Sequence, residues 1–151
     1  MKLLLFFIMG LSFNSFSVSV EVGHEFCRNW FPALVLGDGN KDKKVDDLLR
    51  DFYTDDATLI DPNFTVPQKG QKKLTEYYKV VMSKYPNWSF SIEKIYSTDE
   101  GFILHYSGRV PGLVNHFRGV DIIELVKVDG RFKINKIIGV YDRTPFKTSR
   151  E

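Results

Sequence analysis

Between Trp88 and Asp142 the chain carries four runs rich in aromatic and β-branched residues, set apart by three turn signals. The runs are Trp88–Thr98, Phe102–Val110, Phe117–Val128 and Arg131–Asp142. Asp99-Glu100-Gly101, Pro111-Gly112 and Asp129-Gly130 separate them. This spacing predicts consecutive strands joined by short reversals. The chain before Trp88 has a different period. Phe26, Trp30, Phe31, Leu34 and Val35 recur at near-helical spacing within Glu21–Leu36, and Pro32 predicts a kink or restart there. After the turn Gly37-Asp38-Gly39-Asn40, the positions of Val45, Leu48, Leu49 and Phe52 predict a second amphipathic helix. Ala57–Ile60 reads as a short strand, ended by Asp61-Pro62-Asn63. Gly70-Gln71 opens a third helix, with Leu74, Tyr77, Tyr78, Val81 and Met82 on one side, and Tyr85-Pro86-Asn87 closes it.

Helices followed by a run of strands predict an α+β domain, with three N-terminal helices packed on one face of a curved antiparallel sheet. The N-terminus is set aside from this domain. Met1-Lys2 is followed by the apolar run Leu3–Phe13 and then by small residues at Ser15–Ser19. That layout is that of a secretory signal peptide over residues 1–19, cleaved after Ser19, with the domain over 20–151. The run is shorter than the about 20 apolar residues of a membrane span. A secreted or periplasmic product with no membrane contact after cleavage is therefore expected.

Formal net charge is +2, and loss of Lys2 lowers it by one. This balance offers no electrostatic footprint for nucleic acid. Cys27 is the only cysteine, so an internal disulfide is excluded and stability must come from packing. Cys27 reads as a small buried apolar residue or as a link between chains. With one cysteine and the dispersed His24, His105 and His116, no metal-ligand spacing exists. No metal and no cofactor are expected.

Two carboxylates carry the chemical argument. Asp61 ends a strand beside Pro62. Asp121 lies within Phe117–Val126, and strand alternation puts it on one face with Phe117, Ile123 and Leu125. If that face is the core, burial raises the Asp121 carboxyl and keeps it protonated, hence a hydrogen-bond donor. A second carboxylate with an ordinary titration can serve as a base. Two acids whose environments differ in this way form a candidate acid/base pair.

The segment Tyr53-Thr54-Asp55-Asp56-Ala57-Thr58-Leu59-Ile60-Asp61-Pro62 resembles the Tyr-x-Asp-Asp-Ala-Thr-x-x-Asp-Pro segment of ketosteroid isomerases. The wider resemblance, over nearly all of Val20–Asp142, is to the cone-shaped fold of SnoaL-like and nuclear-transport-factor-2-like proteins. The resemblance implies that Asp61 is the base. Gly70–Tyr78 resembles the family's Gly-initiated helix ending in Phe-Tyr, which puts Tyr78 in the oxyanion network. Asp121-Ile122-Ile123-Glu124-Leu125 resembles the strand bearing the protonated oxyanion-hole Asp. The family's tyrosine donor on the first helix is replaced by Trp30.

The implied function is an apolar pocket for a small hydrophobic molecule. It would be an isomerase or other proton-transfer enzyme with Asp61, Asp121 and Tyr78 catalytic, and with Trp30, Tyr53, Phe117 and His105 against the substrate. The alternative is a non-catalytic ligand-binding or dimerisation module, forming a homodimer through the sheet face. Each residue also has a structural explanation. Asp61-Pro62 is a good turn starter. Asp121 can be satisfied by its neighbours. Tyr53 and Tyr78 can be core aromatics, and Trp30 can simply pack. Asp55 and Asp56 read as loop and cap residues, and Glu124 and Lys127 as charges on the outer face. His105 faces pocket or solvent depending on the strand register.

Overall fold

A computed structural model of the protein describes residues 17–112 and 116–142. The expected signal peptide lies outside the described residues except for Ser17–Ser19. Val18 is buried, and the Ser19 hydroxyl accepts from the backbone N–H of Val22 at 3.3 Å, capping the first helix. That helix, α1 (Val20–Ala33), turns Gly23, Phe26, Cys27 and Trp30 inward. It runs through Pro32 without a restart. The helix ends one residue later, at Ala33. The carbonyl of the C-cap residue Leu34 accepts from the Trp88 indole at 3.0 Å.

Asn40 caps α2 (Lys41–Phe52), its side-chain oxygen accepting from the N–H of Lys43 at 3.0 Å. Val45, Leu48 and Leu49 form its buried stripe. The chain passes directly into β1 (Tyr53–Ile60), so Asp55 and Asp56 are strand residues and not loop and cap residues. They fall where the register of β1 shifts, and both are exposed. A two-residue β2 (Gln68–Lys69), not anticipated in the sequence, precedes α3 (Gly70–Lys84). Gly70 has φ +79°, a backbone conformation that favours glycine at this junction. The strands β3 (Ser89–Ser97), β4 (Gly101–Arg109), β5 (Phe117–Val128) and β6 (Arg131–Tyr141) follow, in the places the turn signals set.

The sheet order is β2-β1-β6-β5-β4-β3. The meander β3–β6 is antiparallel throughout, but β1 pairs with β6 in parallel. The sheet is therefore mixed where an antiparallel one was expected. The long connection through α3 and the meander permits a parallel pairing that a hairpin could not make. Register shifts in β1, β3 and β6 bend the strands. Helix α1 packs over β3 and β4, and α3 over β1. Between helices and sheet lies a core rich in aromatic contacts, such as Phe26 against Phe102 and Phe31 against Phe90. Cys27 is fully enclosed in this core.

Candidate functional site

Alternation on β5 buries Phe117, Gly119, Asp121, Ile123 and Leu125 and leaves Arg118 and Ile122 exposed. Asp121 therefore faces the interior, as the parity of its strand predicts. On β4 the same rule sends Leu104 and Tyr106 inward. His105 faces the opposite way and packs edge-on against Tyr96, with ring centroids 5.4 Å apart. The expected substrate contact of His105 is thereby corrected: its strand parity places it on the outer surface.

The interior side chains leave a cavity of about 120 Å³ between α1, α3 and the sheet. Asp61 and Asp121 both line it, with Trp30, Tyr78 and Phe117 from the expected set. Tyr53 does not. It lies behind the wall, fully buried, and its hydroxyl hydrogen-bonds that of Tyr78. Apolar and aromatic residues make up most of the remaining wall, among them Phe31, Leu59, Phe90 and Ile137. The volume is close to that of a cavity of about 150 Å³ that accepts benzene. A single ring is of this size.

Asp61 is buried at the end of β1 and is held by three donors. The Tyr77 hydroxyl donates to Oδ2 at 2.7 Å, and the backbone N–H of Asn63 donates to Oδ1 at 2.7 Å. The Tyr141 hydroxyl is shared between the two oxygens, at 3.0 and 3.1 Å. The Asn63 amide in turn donates to Tyr141. Burial raises the Tyr77 and Tyr141 hydroxyls well above their ordinary value, with the neighbouring Asp61 charge adding to it. Both stay neutral donors.

Asp121 has a different environment. Burial pushes its carboxyl up from an ordinary 3.8 to about 8, and the charge of Asp61 adds to the shift. The nearby Tyr106 hydroxyl works in the opposite direction. Tyr106 reaches this position because its ring lies across Gly119, its partner on β5. Phe117 lies across Gly108 in the same manner. At neutral pH the protonated form of Asp121 is favoured.

Trp30 contributes its ring to the wall, but its indole nitrogen is enclosed and makes no hydrogen bond. It lies near enough to Tyr53 to favour ionisation of that hydroxyl without completing a bond. Tyr77, Tyr106 and Tyr141 are the site residues that sequence reasoning missed. Tyr77 was legible only as part of an amphipathic stripe. Tyr141 shares an inward parity with Ile137, which a known register would have exposed. Glu124 lies on the outer face as expected, paired with Lys136 at 2.7 Å. Among the described residues, no group of three or more His, Cys, Asp or Glu could hold a metal ion. No helix among them is long and apolar enough to cross a membrane.

The SnoaL-like domain family model matches residues 29–134. No functionally curated protein matches the chain. Among solved structures, a SnoaL-like protein of unknown function from Burkholderia thailandensis E264 is similar at 16% identity and a TM-score of 0.64. It covers 84% of this chain and 99% of its own. The epoxide hydrolase/cyclase-like enzyme SalBIII is similar at 14% identity and a TM-score of 0.61, over 83% of this chain and 94% of its own. An NTF2-like protein from Anabaena variabilis ATCC 29413 matches at 16% identity and a TM-score of 0.58, over 80% and 89%. The fold is the cone of nuclear-transport-factor-2-like proteins.

Proposed function

The chain belongs to the SnoaL-like family, and on that premise we propose that its cavity binds a small, largely hydrophobic molecule of one ring and moves a proton on it. Asp61 is the base, taking a proton α to a carbonyl or from a water. Asp121, protonated, donates to the oxygen on which charge develops. The observation that carries this reading is the pairing of two carboxyls in one apolar cavity, with burial holding Asp121 up to about 8. Tyr77 and Tyr141 orient Asp61, and Tyr78 with Tyr53 forms a second hydroxyl pair at the wall. A relative of the same fold, SalBIII, is described as epoxide hydrolase/cyclase-like and as acting in pyran ring formation, which is compatible with acid/base chemistry on an apolar substrate. Export is part of the proposal and rests on the N-terminal run Leu3–Phe13.

The test is solvent deuterium exchange at the α carbon of cyclohexenone, followed by NMR. The wild type is expected to exceed the buffer rate, and Asp61→Asn to fall about 10²–10⁴-fold, the range of a positioned general base. Exchange at the buffer rate in the wild type would leave the protein a binding module.

That second reading has its own support. Asp61 already accepts three hydrogen bonds, as a polar anchor would. The outer sheet face also offers a surface for a second copy. Outward rows pair Ile103 with Ile122 and Ile138, and Val120 with Val140. Ile122, Val140 and Tyr96 are exposed. Ion pairs of both signs flank the rows, Arg118–Glu93 and Lys136–Glu124, which suits a self-complementary contact. Sedimentation of the wild type against Ile122→Lys reads this out: a dimer that dissociates in the variant supports it.

A further inference from the structure

Charge is distributed unevenly over the domain. Residues 62–85, from the β1–β2 connection to the end of α3, hold Lys69, Lys72, Lys73, Lys79 and Lys84 against the single acid Glu76, a formal +4. The remainder of residues 17–142 holds 12 Lys and Arg against 17 Asp and Glu, a formal −5. The near-neutral balance of the whole chain conceals this asymmetry. Two of the five lysines are neutralised by ion pairs, Lys73 with Glu76 at 3.0 Å and Lys79 with Asp42 of α2 at 2.7 Å. Lys69, Lys72 and Lys84 have no ion-pair partner among the described residues, and all three are exposed.

The same segment carries exposed apolar side chains. Phe64 is 41%, Val66 63% and Val80 61% exposed. Among the described residues, the other exposed large apolar side chains all lie on β3, β5 and β6. Leu74, Tyr78 and Met82 form the inner stripe of α3. Lys73, Val80 and Lys84 stand four, three and seven residues from Tyr77 and so share its face of the helix. The Tyr77 ring packs on Phe64, with centroids 5.3 Å apart, and both rings line the cavity. Phe64 is thus at once a wall of the cavity and part of the outer surface. An apolar strip flanked by lysines borders the cavity mouth.

We propose that this face is a docking surface for an anionic lipid bilayer, with Phe64, Val66 and Val80 entering the headgroup region and Lys69, Lys72 and Lys84 meeting the headgroups. Exposed apolar side chains gain by leaving water. The lysines gain from the negative potential of the surface, an attraction that falls off within a Debye length. The rest of the domain carries net negative charge, so the field turns residues 62–85 toward the lipid. A soluble acidic partner satisfies the lysines and leaves the three apolar side chains in water, whereas a bilayer takes both. Docking of this kind needs no spanning segment, and it replaces the expected absence of membrane contact. It sets the cavity mouth against a reservoir of small hydrophobic molecules. That consequence rests on the reading of the cavity as a ligand site; the docking surface does not.

The test is co-sedimentation of the full domain with vesicles of equal parts phosphatidylglycerol and phosphatidylcholine, and with vesicles of phosphatidylcholine alone. The wild type is expected to bind the anionic vesicles at least about tenfold more tightly, since each lysine near such a surface is worth about fivefold. Lys72→Glu with Lys84→Glu should lose this preference. Lys94→Glu with Lys127→Glu changes the net charge equally, on β3 and β5, and should keep it. Val66→Ser with Val80→Ser should weaken binding to the anionic vesicles about tenfold. All six replaced side chains are exposed, so the fold should survive each change. No binding to anionic vesicles, equal binding to both kinds, an equal loss in the two lysine pairs, or full binding by the valine variant overturns the proposal. Failure of proton transfer appears in the deuterium-exchange assay and leaves these outcomes intact.

Discussion

Tyr106 lies flat across Gly119, its cross-strand partner, so that a Cβ on the glycine would meet the tyrosine hydroxyl and Cζ at 2.5 Å. The missing side chain lets the hydroxyl reach toward Asp121, two residues further along β5 on the same face. Gly119→Ala should therefore destabilise the domain by about 1–3 kcal/mol through overpacking. Urea unfolding of the single and double variants with Tyr106→Ala tests this. Much of the cost should vanish when the ring is gone, and additive costs would show that the two residues do not interact.

Asp121 makes stability depend on pH in a known direction. Its carboxyl titrates near 3.8 in the unfolded chain and is pushed up to about 8 in the fold. Between these values the folded state holds the extra proton, so this group's contribution falls as pH rises from about 4 to about 8 and is flat on either side. Asp121→Asn removes the titration. Relative to wild type, the variant should gain unfolding free energy steadily across that window. A constant difference in chemical unfolding at a series of pH values would contradict it.

Tyr77 holds Asp61 with a bond of 2.7 Å while its ring packs against Phe64 and Tyr78. Tyr77→Phe keeps the ring and deletes the donor. Loss of a hydrogen bond to a charged group predicts a cost on the order of 1.5–3 kcal/mol. Tyr53→Phe removes only a bond between two neutral hydroxyls and should cost about 1 kcal/mol. Equal losses in denaturant titrations of the two variants would show that Asp61 gains nothing special from Tyr77.

Cys27 is fully enclosed, and burial pushes its thiol up to about 12. It should resist thiol reagents in the native state and react at a rate set by unfolding. Labelling in increasing urea, read by mass spectrometry, is expected to follow the unfolding curve. Rapid labelling without denaturant would contradict this burial.

The residues just before α1 belong to the folded domain. Ser19 caps the helix and Val18 is buried in the core. A chain beginning at Val20 should be less stable than one beginning at Ser17 by about 2–4 kcal/mol, from the lost cap and the lost apolar burial. Thermal unfolding of the two chains checks it, and equal midpoints would remove any role for Ser17–Ser19.

Much of the fold was legible because local chemistry marks it. Asp129-Gly130 turns the last hairpin, with both residues at positive φ. Asn40 caps α2 as its position before the apolar stripe suggests. The burial of Asp121 followed from its parity with Phe117 and Ile123 alone. The candidate site was less legible. Asp61 could be marked from its segment, but its partners Tyr77 and Tyr141 come from a helix and a strand 16 and 80 residues away. Nothing in the chain between them states that separation in space.

The amino-acid sequence by itself determined the three helices, the main strands and their order, the face that Asp121 shares with Phe117 and Ile123 on β5, and the family to which the chain belongs. Those properties follow from periods of side chains along one segment, which are local. The tertiary structure decided the parallel pairing of β1 with β6, the outward place of His105 and the meeting of Asp61 and Asp121 in one cavity. Each of these depends on register between strands, and a shift of one residue would turn every side chain of a strand to the other face. Bulges and the packing of α1 and α3 fix that register, and they act only once the distant segments have met.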